Sequence, residues 1–393
     1  MKILTAHNFY QHPGGEDNVF HAESELLRDN GHEVVQFTDS NHRISNGLIS
    51  GAAAVWNQSS YSRLRDFARS HRPAVAHFHN TFPLISPAAY YAMRREYVPV
   101  IQTLSNYRLI CPGGLLMRDG RPCEDCITSN SLRPANLHRC YRNSRAATTA
   151  VSTMLIAHRA LRTWKRAVDL YIALSRFARH KFTVSGFPEK RVIVKPNFIH
   201  PDPGPGDGSG NYALFVGRLA DEKGIRTLAE AWHNLPDIPL TIAGDGPLNS
   251  VDFPPNVTRL GHQPRERIIE LMKNAAVLIF PSTWYECAPL TILEAFACGL
   301  PVIASDIGSI PEFVDPYRTG LLFTPGDPYD LIHHVRWAFE KPNQLRAMRA
   351  AARREFETKY TAETNYKQLI EIYQLAIENA KLAPGRRSLV PAT

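Results

Sequence analysis

No apolar run in the 393-residue chain approaches the ~20 residues that a membrane-spanning helix needs. No secretory leader is expected, since the apolar stretch at residues 1–6 is too short and His7, Asn8 and Gln11 follow at once. A cytoplasmic protein is expected. Cysteine is scarce, with six residues, and disulfides are rare in a reducing compartment. No fixed period of the solenoid kind recurs. No Gly-x-Gly-x-x-Gly follows a strand pattern, which argues against a dinucleotide-dependent oxidoreductase. No Asp-x-Asp occurs, so a diphosphate held through a chelated metal is not expected, and catalysis should need no cofactor. No recognition module for nucleic acid is present.

What remains has the composition of a folded enzyme or binding protein. Hydrophobic residues make up 44% and charged residues 21%, which excludes a disordered tail, a collagen or a coiled-coil rod. At roughly 100–200 residues per domain, the length suggests two domains. Lys plus Arg exceeds Asp plus Glu, 45 to 37, giving a net charge of +8. That balance permits anionic partners, such as nucleotide phosphates or an anionic membrane face, and selects none of them.

Short runs rich in Val, Ile and Leu alternate with helical patterns along the whole chain. Residues 2–6, 34–37, 75–78, 98–103 and 169–174 read as strands in the first half. Residues 212–216, 240–243, 257–260, 276–280, 302–305 and 321–323 read as strands in the second. The runs do not alternate cleanly with polar residues, as expected of strands buried on both faces. Helical patterns at 22–30, 224–232 and 290–297 lie between them. The order implies an α/β protein with two Rossmann-like parallel-sheet domains. Residues 201–210, PDPGPGDGSG, have the composition of a linker. We divide the chain into a first domain (1–197), a linker (198–211), a second domain (212–343), a helical C-terminal segment (344–382) and a disordered tail (383–393). Ligands of such sheets bind at the carboxyl ends of the strands, so a substrate between two facing domains is the default expectation.

In the second half, the run FPSTWYECAPLTILEAFACGLPVIAS (280–305) passes from strand to loop to helix. Pro289 suits a helix start, where free N–H groups and the helix dipole favour an anion. Glu286 stands in the loop and Glu294 in the helix, and both could face one ligand. The run FVGRLADEKG (215–224) places Arg218 and Lys223 beyond a strand end, where two cations can clamp a diphosphate. Gly244 opens a strand-ending turn, GDGP. In the first half, Gly14 and Gly15 precede a helix and allow a close backbone approach to a ligand.

The runs GRLxxEKG, AGDGP and PSxxYExxPLxxLEAxAxGxPVIAS, in this order and spacing, resemble the retaining glycosyltransferases of family 4, built on the GT-B fold. Glu286 and Glu294 are similar to that family's paired glutamates. The resemblance implies two domains facing across a cleft, with a C-terminal helix crossing back to the first. It implies that Arg218 and Lys223 bind the donor diphosphate, that Glu294 holds the ribose, and that Glu286 meets the donor sugar. Gly14, Gly15, Gly244 and the backbone around Ala288, Pro289 and Leu290 would line the donor. Retention would proceed by same-face attack, the departing phosphate helping to deprotonate the acceptor.

Relatives in that family often carry a histidine where this chain has Ser105. The departure leaves Ser105, Asn106 or His79 as candidates at the reacting centre, and it keeps open a second reading, a catalytically impaired nucleotide-sugar binding or scaffold subunit. The implied partners are a nucleotide-diphosphate sugar and a glycan or lipid-linked acceptor, with cell-envelope polysaccharide synthesis as the setting.

Two further features stand apart. Cys111, Cys123, Cys126 and Cys140 fall close together in a 111–140 insertion. The Cys-x2-Cys pair with two flanking cysteines suits structural zinc; buried or redox-active thiols are the alternative. Asp119-Gly120 between them reads as a hairpin turn. Residues 133–166 are strongly basic around a helical stretch, which fits peripheral contact with an anionic membrane face and equally a solvated helix face.

Overall fold

The computed structural model describes residues 1–11, 14–44 and 47–382, with 47–50 and 382 as backbone only. The expected disordered tail, 383–393, lies outside the described residues.

In chain order the strands are β1 (Lys2–Phe9), β2 (Glu33–Ser40), β3 (Val75–Phe78), β4 (Val100–Leu104), β5 (Met117–Arg118), β6 (Arg121–Pro122), β7 (Leu170–Ala173) and β8 (Val192–Val194). They continue with β9 (Ala213–Val216), β10 (Leu240–Ala243), β11 (Val257–Arg259), β12 (Val277–Phe280), β13 (Val302–Ser305) and β14 (Gly320–Phe323). One six-stranded sheet has the order β2-β1-β3-β4-β7-β8 and another β11-β10-β9-β12-β13-β14. Every pairing in both is parallel. Helices cross between most successive strands, though none lies between β10 and β11, and the inner strands β3, β4, β7, β12 and β13 are buried along their length. The apolar runs are explained by this covering of both faces. β8 is an addition to the expected set; its sequence, VIV, is too short to stand out from the turn before it.

Two compact units result. The first comprises Met1–Leu116, Glu124–Pro196 and the chain from Tyr366 onward; the second comprises Met117–Cys123 and Asn197–Asn365. The small β5–β6 hairpin turns at Asp119 and Gly120, with φ of 52° and 74°. An Asp-Gly pair accepts this left-handed geometry readily.

The helical pattern at 344–382 is two helices, Pro342–Lys359 and Ala362–Leu382, broken at Tyr360 and Thr361. The second brings Tyr366 and Tyr373 into the first unit, where Tyr366 Oη lies 2.9 Å from His32 Nε2. The Pro- and Gly-rich segment at 201–210 lies along the second unit by backbone bonds. Gly206 N donates to Cys298 O at 2.9 Å and Gly208 N to Lys273 O at 3.0 Å.

Candidate active site

The strand order gives each sheet one place where successive connections leave in opposite directions. In the second unit the chain runs from β9 outward through β10 to β11, then returns to pair β12 on the other side of β9. The loops after β9 and β12 therefore diverge and leave a crevice at their carboxyl ends, where ligands of open parallel sheets bind. Arg218 follows β9, and Ser282, Trp284 and Glu286 follow β12.

Two glycines let these loops meet. Gly224 ends the turn Asp221–Lys223 at φ 71°, and a Cβ there would stand 1.8 Å from Pro281 O. Gly244, after β10, is pressed against the carbonyl of Gly217, 1.9 Å from where its Cβ would lie. Only residues without side chains allow such approaches.

The result is that Lys223 meets Glu286. Lys223 Nζ donates to Glu286 Oε1 at 2.5 Å, and the same oxygen accepts from Ser282 Oγ at 3.0 Å and Trp284 Nε1 at 2.9 Å. Ser309 Oγ fixes the Glu286 backbone by donating to its carbonyl at 2.7 Å. The Lys223 ammonium also lies 5.4 Å from the Trp284 ring centroid, within cation–π range. Glu286 is 7% exposed, so this carboxylate is a fixed charge in a partly dry setting. Arg218, by contrast, is exposed and paired with Glu222 one turn on.

Glu294 lies inside the helix Leu290–Ala297. Burial lifts its carboxyl pKa above the ordinary value, opposed by Arg265, whose Nε is 4.0 Å away. Pro289 is the N-cap of that helix. No side chain caps its start and no acidic residue occupies its first turn, so the dipole there faces no protein anion of its own helix. Ala288, Pro289 and Leu290 thus form the helix start that the sequence implied.

In the first unit the corresponding reversal lies between β1 and β3. Gly14 caps the helix Gly15–Asp29, and its N–H donates to Asp17 Oδ2 at 2.8 Å. Asp17 Oδ1 lies 2.7 Å from His7 Nε2, which ties the loop start to β1. Asn106 Nδ2 donates to Glu16 Oε1 at 2.8 Å and to Tyr10 Oη at 3.2 Å, and Tyr10 Oη donates to Glu16 Oε2 at 2.9 Å. Burial holds the Glu16 pKa above its usual value. Ser105 is half-buried beside this group.

His79, after β3, joins a buried cluster. Its Nε2 is 3.4 Å from Glu23 Oε2, and neither of its ring nitrogens hydrogen-bonds a described residue. Lys195 Nζ donates to Glu23 Oε1 at 2.8 Å. His77 uses both nitrogens, Nδ1 with Tyr373 Oη at 2.8 Å and Nε2 with Thr103 Oγ1 at 2.7 Å. Burial, then the Lys195 charge, pushes the His77 pKa down to about 3; burial also drives His79 well below its ordinary value. His79 is therefore a neutral imidazole near pH 7.

Sequence reasoning passed over Glu16, Tyr10, Glu23, His77, Lys195, Tyr373 and Glu222. The spacing of His77 and His79, two apart at the end of β3 in nearly extended chain, was the available signal.

Among the described residues, three or more metal-competent side chains converge only at Glu23, His77 and His79. Lys195 already sits on that carboxylate, and both His77 nitrogens are engaged, so the cluster carries its own cation. None of the four cysteines expected to hold zinc is in a disulfide. Cys111 and Cys140 flank Gly113, whose Cβ would lie 3.7 Å from Cys111 Sγ and from Cys140 Cβ. Cys111, Cys126 and Cys140, which share the first unit, do not converge as a ligand set, whereas tetrahedral zinc needs sulfurs about 2.3 Å from one ion.

Comparison with known proteins agrees with the geometry of the second unit. Residues 200–355 match the family described as Glycosyl transferases group 1. The sulfoquinovosyl transferase SQD2 of Arabidopsis thaliana is 28% identical over 237 residues, covering 56% of this chain and 42% of that protein. The amylovoran biosynthesis glycosyltransferase AmsK of Erwinia amylovora is 27% identical over 234 residues, covering 52% of this chain and 56% of that protein. The matches thus span about half the length of these relatives. The solved structure of HepE from Anabaena, in complex with UDP, superposes with a TM-score of 0.67 at 18% identity, covering 95% of this chain and 100% of that one. The same protein was also solved with UDP-glucose. No helix among the described residues is long and apolar enough to cross a membrane. The fold is that of the GT-B proteins, and the group 1 match lies at residues 200–355.

Proposed function

We propose that the chain is a retaining, metal-independent glycosyltransferase of family 4, which moves a sugar from a nucleotide-diphosphate donor to a glycan or lipid-linked acceptor. The observation that carries this reading is the Lys223–Glu286 pair at the sheet's reversal point, beside an uncapped helix start. The nucleotide complexes of HepE and the transferase relatives support a nucleotide-sugar donor, and the amylovoran relative supports a polysaccharide setting.

In this mechanism Arg218, Lys223 and the start of the helix Leu290–Ala297 take up the charge of the departing diphosphate. An ammonium on a flexible stem can leave Glu286 for a phosphate oxygen without backbone movement. Glu286 then faces positive charge developing on the sugar ring, while Glu294 accepts the ribose hydroxyls. No enzyme nucleophile is required, and the two-carboxylate logic of glycosidases does not apply. The absence of Asp-x-Asp supports independence from a chelated metal.

The test is to incubate the full chain with a panel of nucleotide sugars and lipid or oligosaccharide acceptors, measuring nucleotide diphosphate release. Release with one donor is expected. Binding of nucleotide sugar without release for any acceptor would favour the scaffold reading.

A further inference from the structure

The helices Gly47–Val55 and Arg145–Ala160 of the first unit cross at Gly51, where a Cβ would stand 3.2 Å from Ala150 Cβ. A cavity of about 670 Å³ opens between them, within the ~300–1,000 Å³ typical of small-molecule sites. Its walls include Ala54, Val55, Phe82, Pro83, Ala147 and Val151. A wall of this kind recognises hydrocarbon and offers little to a sugar.

One edge is different. Tyr141 and Arg142 line it, with Arg142 Cζ 5.4 Å from the Tyr141 ring centroid. Arg108 Cζ lies 4.7 Å from the same ring and 5.0 Å from that of Phe82. Arg142 is exposed and does not pair with a carboxylate among the described residues. The cavity is therefore apolar inside and cationic at one rim, the complement of an amphiphile with an anionic head.

We propose that this cavity binds the hydrocarbon chain of a lipid phosphate, with the phosphate held at Arg142. The ligand's role as sugar acceptor rests on the transferase reading; its binding does not. Apolar burial would supply chain-length dependence, and Arg142 would select the charged head.

Calorimetry on the full chain with dodecyl phosphate tests this without any turnover, so its outcome is separate from that of the transferase assay. Saturable one-to-one binding is expected, with butyl phosphate and inorganic phosphate at least a hundredfold weaker. Arg142→Glu, at an exposed position, should weaken dodecyl phosphate at least tenfold and leave the thermal midpoint unchanged. Ala147→Trp, which fills the cavity, should weaken it at least as much while nucleotide diphosphate binding persists. The chain-length series holds as a test even where the tryptophan variant fails to fold. No binding of dodecyl phosphate, equal binding across chain lengths, or full affinity in Arg142→Glu would overturn the proposal. Binding only after residues 383–393 are removed would assign the cavity to the chain's own tail, and would also overturn it.

Discussion

Lys223 Nζ and Glu286 Oε1 are 2.5 Å apart, although 63 positions separate the two residues in the chain. Glu286 thus has a protein cation where a donor diphosphate would bring negative charge to Lys223. The pair places in contact two groups that the sequence assigned to different ends of the donor. Releasing Lys223 to a phosphate leaves Glu286 held by Ser282 and Trp284, so the carboxylate keeps its position when its counter-ion moves.

Arg218→Ala and Lys223→Ala should each weaken nucleotide diphosphate binding by about 1.5–3 kcal/mol, the worth of a charge-assisted contact. Calorimetry measures this directly. The two variants should part company in stability. The Arg218–Glu222 pair, whose arginine is exposed, is worth roughly 0–1 kcal/mol. Losing Lys223 leaves the nearly buried Glu286 short of a donor, at a cost of about 1–3 kcal/mol in urea denaturation. Unchanged nucleotide affinity in both variants would remove the phosphate-clamp assignment.

Glu294→Gln should act on binding alone. With its carboxylate assigned to ribose, the variant should lose about 1–3 kcal/mol of nucleotide affinity and keep most of its turnover at saturating donor. A loss confined to turnover would instead place Glu294 at the reacting sugar.

The parallel strands and the glycine turns beyond them were legible in the sequence because they are local. Val-, Ile- and Leu-rich runs mark strands buried on both faces, and Gly217, Gly224 and Gly244 mark loops pressed together at strand ends. The buried cluster of the first unit was not legible. It joins Glu23, His77 and Lys195 to Tyr373, which comes from the C-terminal helix 296 positions after His77. No spacing rule reaches that far. Asn106 was identified, but its partner Glu16 was missed because a Glu in a helix's first turn ordinarily serves the dipole. The cysteine spacing suggested a shared ion; in the fold Gly113 packs against both Cys111 and Cys140.

Acid should destabilise the first unit from near neutrality downward. His77 and His79 are held neutral by burial, with His77 lowered to about 3. The unfolded chain takes up protons on them below about pH 6.5, which the folded chain refuses. Their contribution is thus intact above that pH and is lost as pH falls toward the folded value. Denaturation midpoints measured from pH 7.5 to 4.5 should fall, and His77→Gln should flatten the fall. An unchanged slope in that variant would contradict the assignment.

Tyr373→Phe should destabilise the protein by about 1–2 kcal/mol, since it strips a hydroxyl partner from a fully buried imidazole. Urea denaturation reads it. A neutral effect would mean that the C-terminal helix is held by apolar packing alone.

The most direct measurement is the comparison of wild type with Glu286→Gln for both nucleotide diphosphate affinity and sugar transfer. The substitution keeps size and removes the charge that faces the sugar. Turnover should fall by about two to three orders of magnitude while nucleotide affinity holds, because the change frees Lys223 and touches no phosphate contact. Full turnover in Glu286→Gln, or a loss of nucleotide binding equal to the loss of rate, would contradict the account.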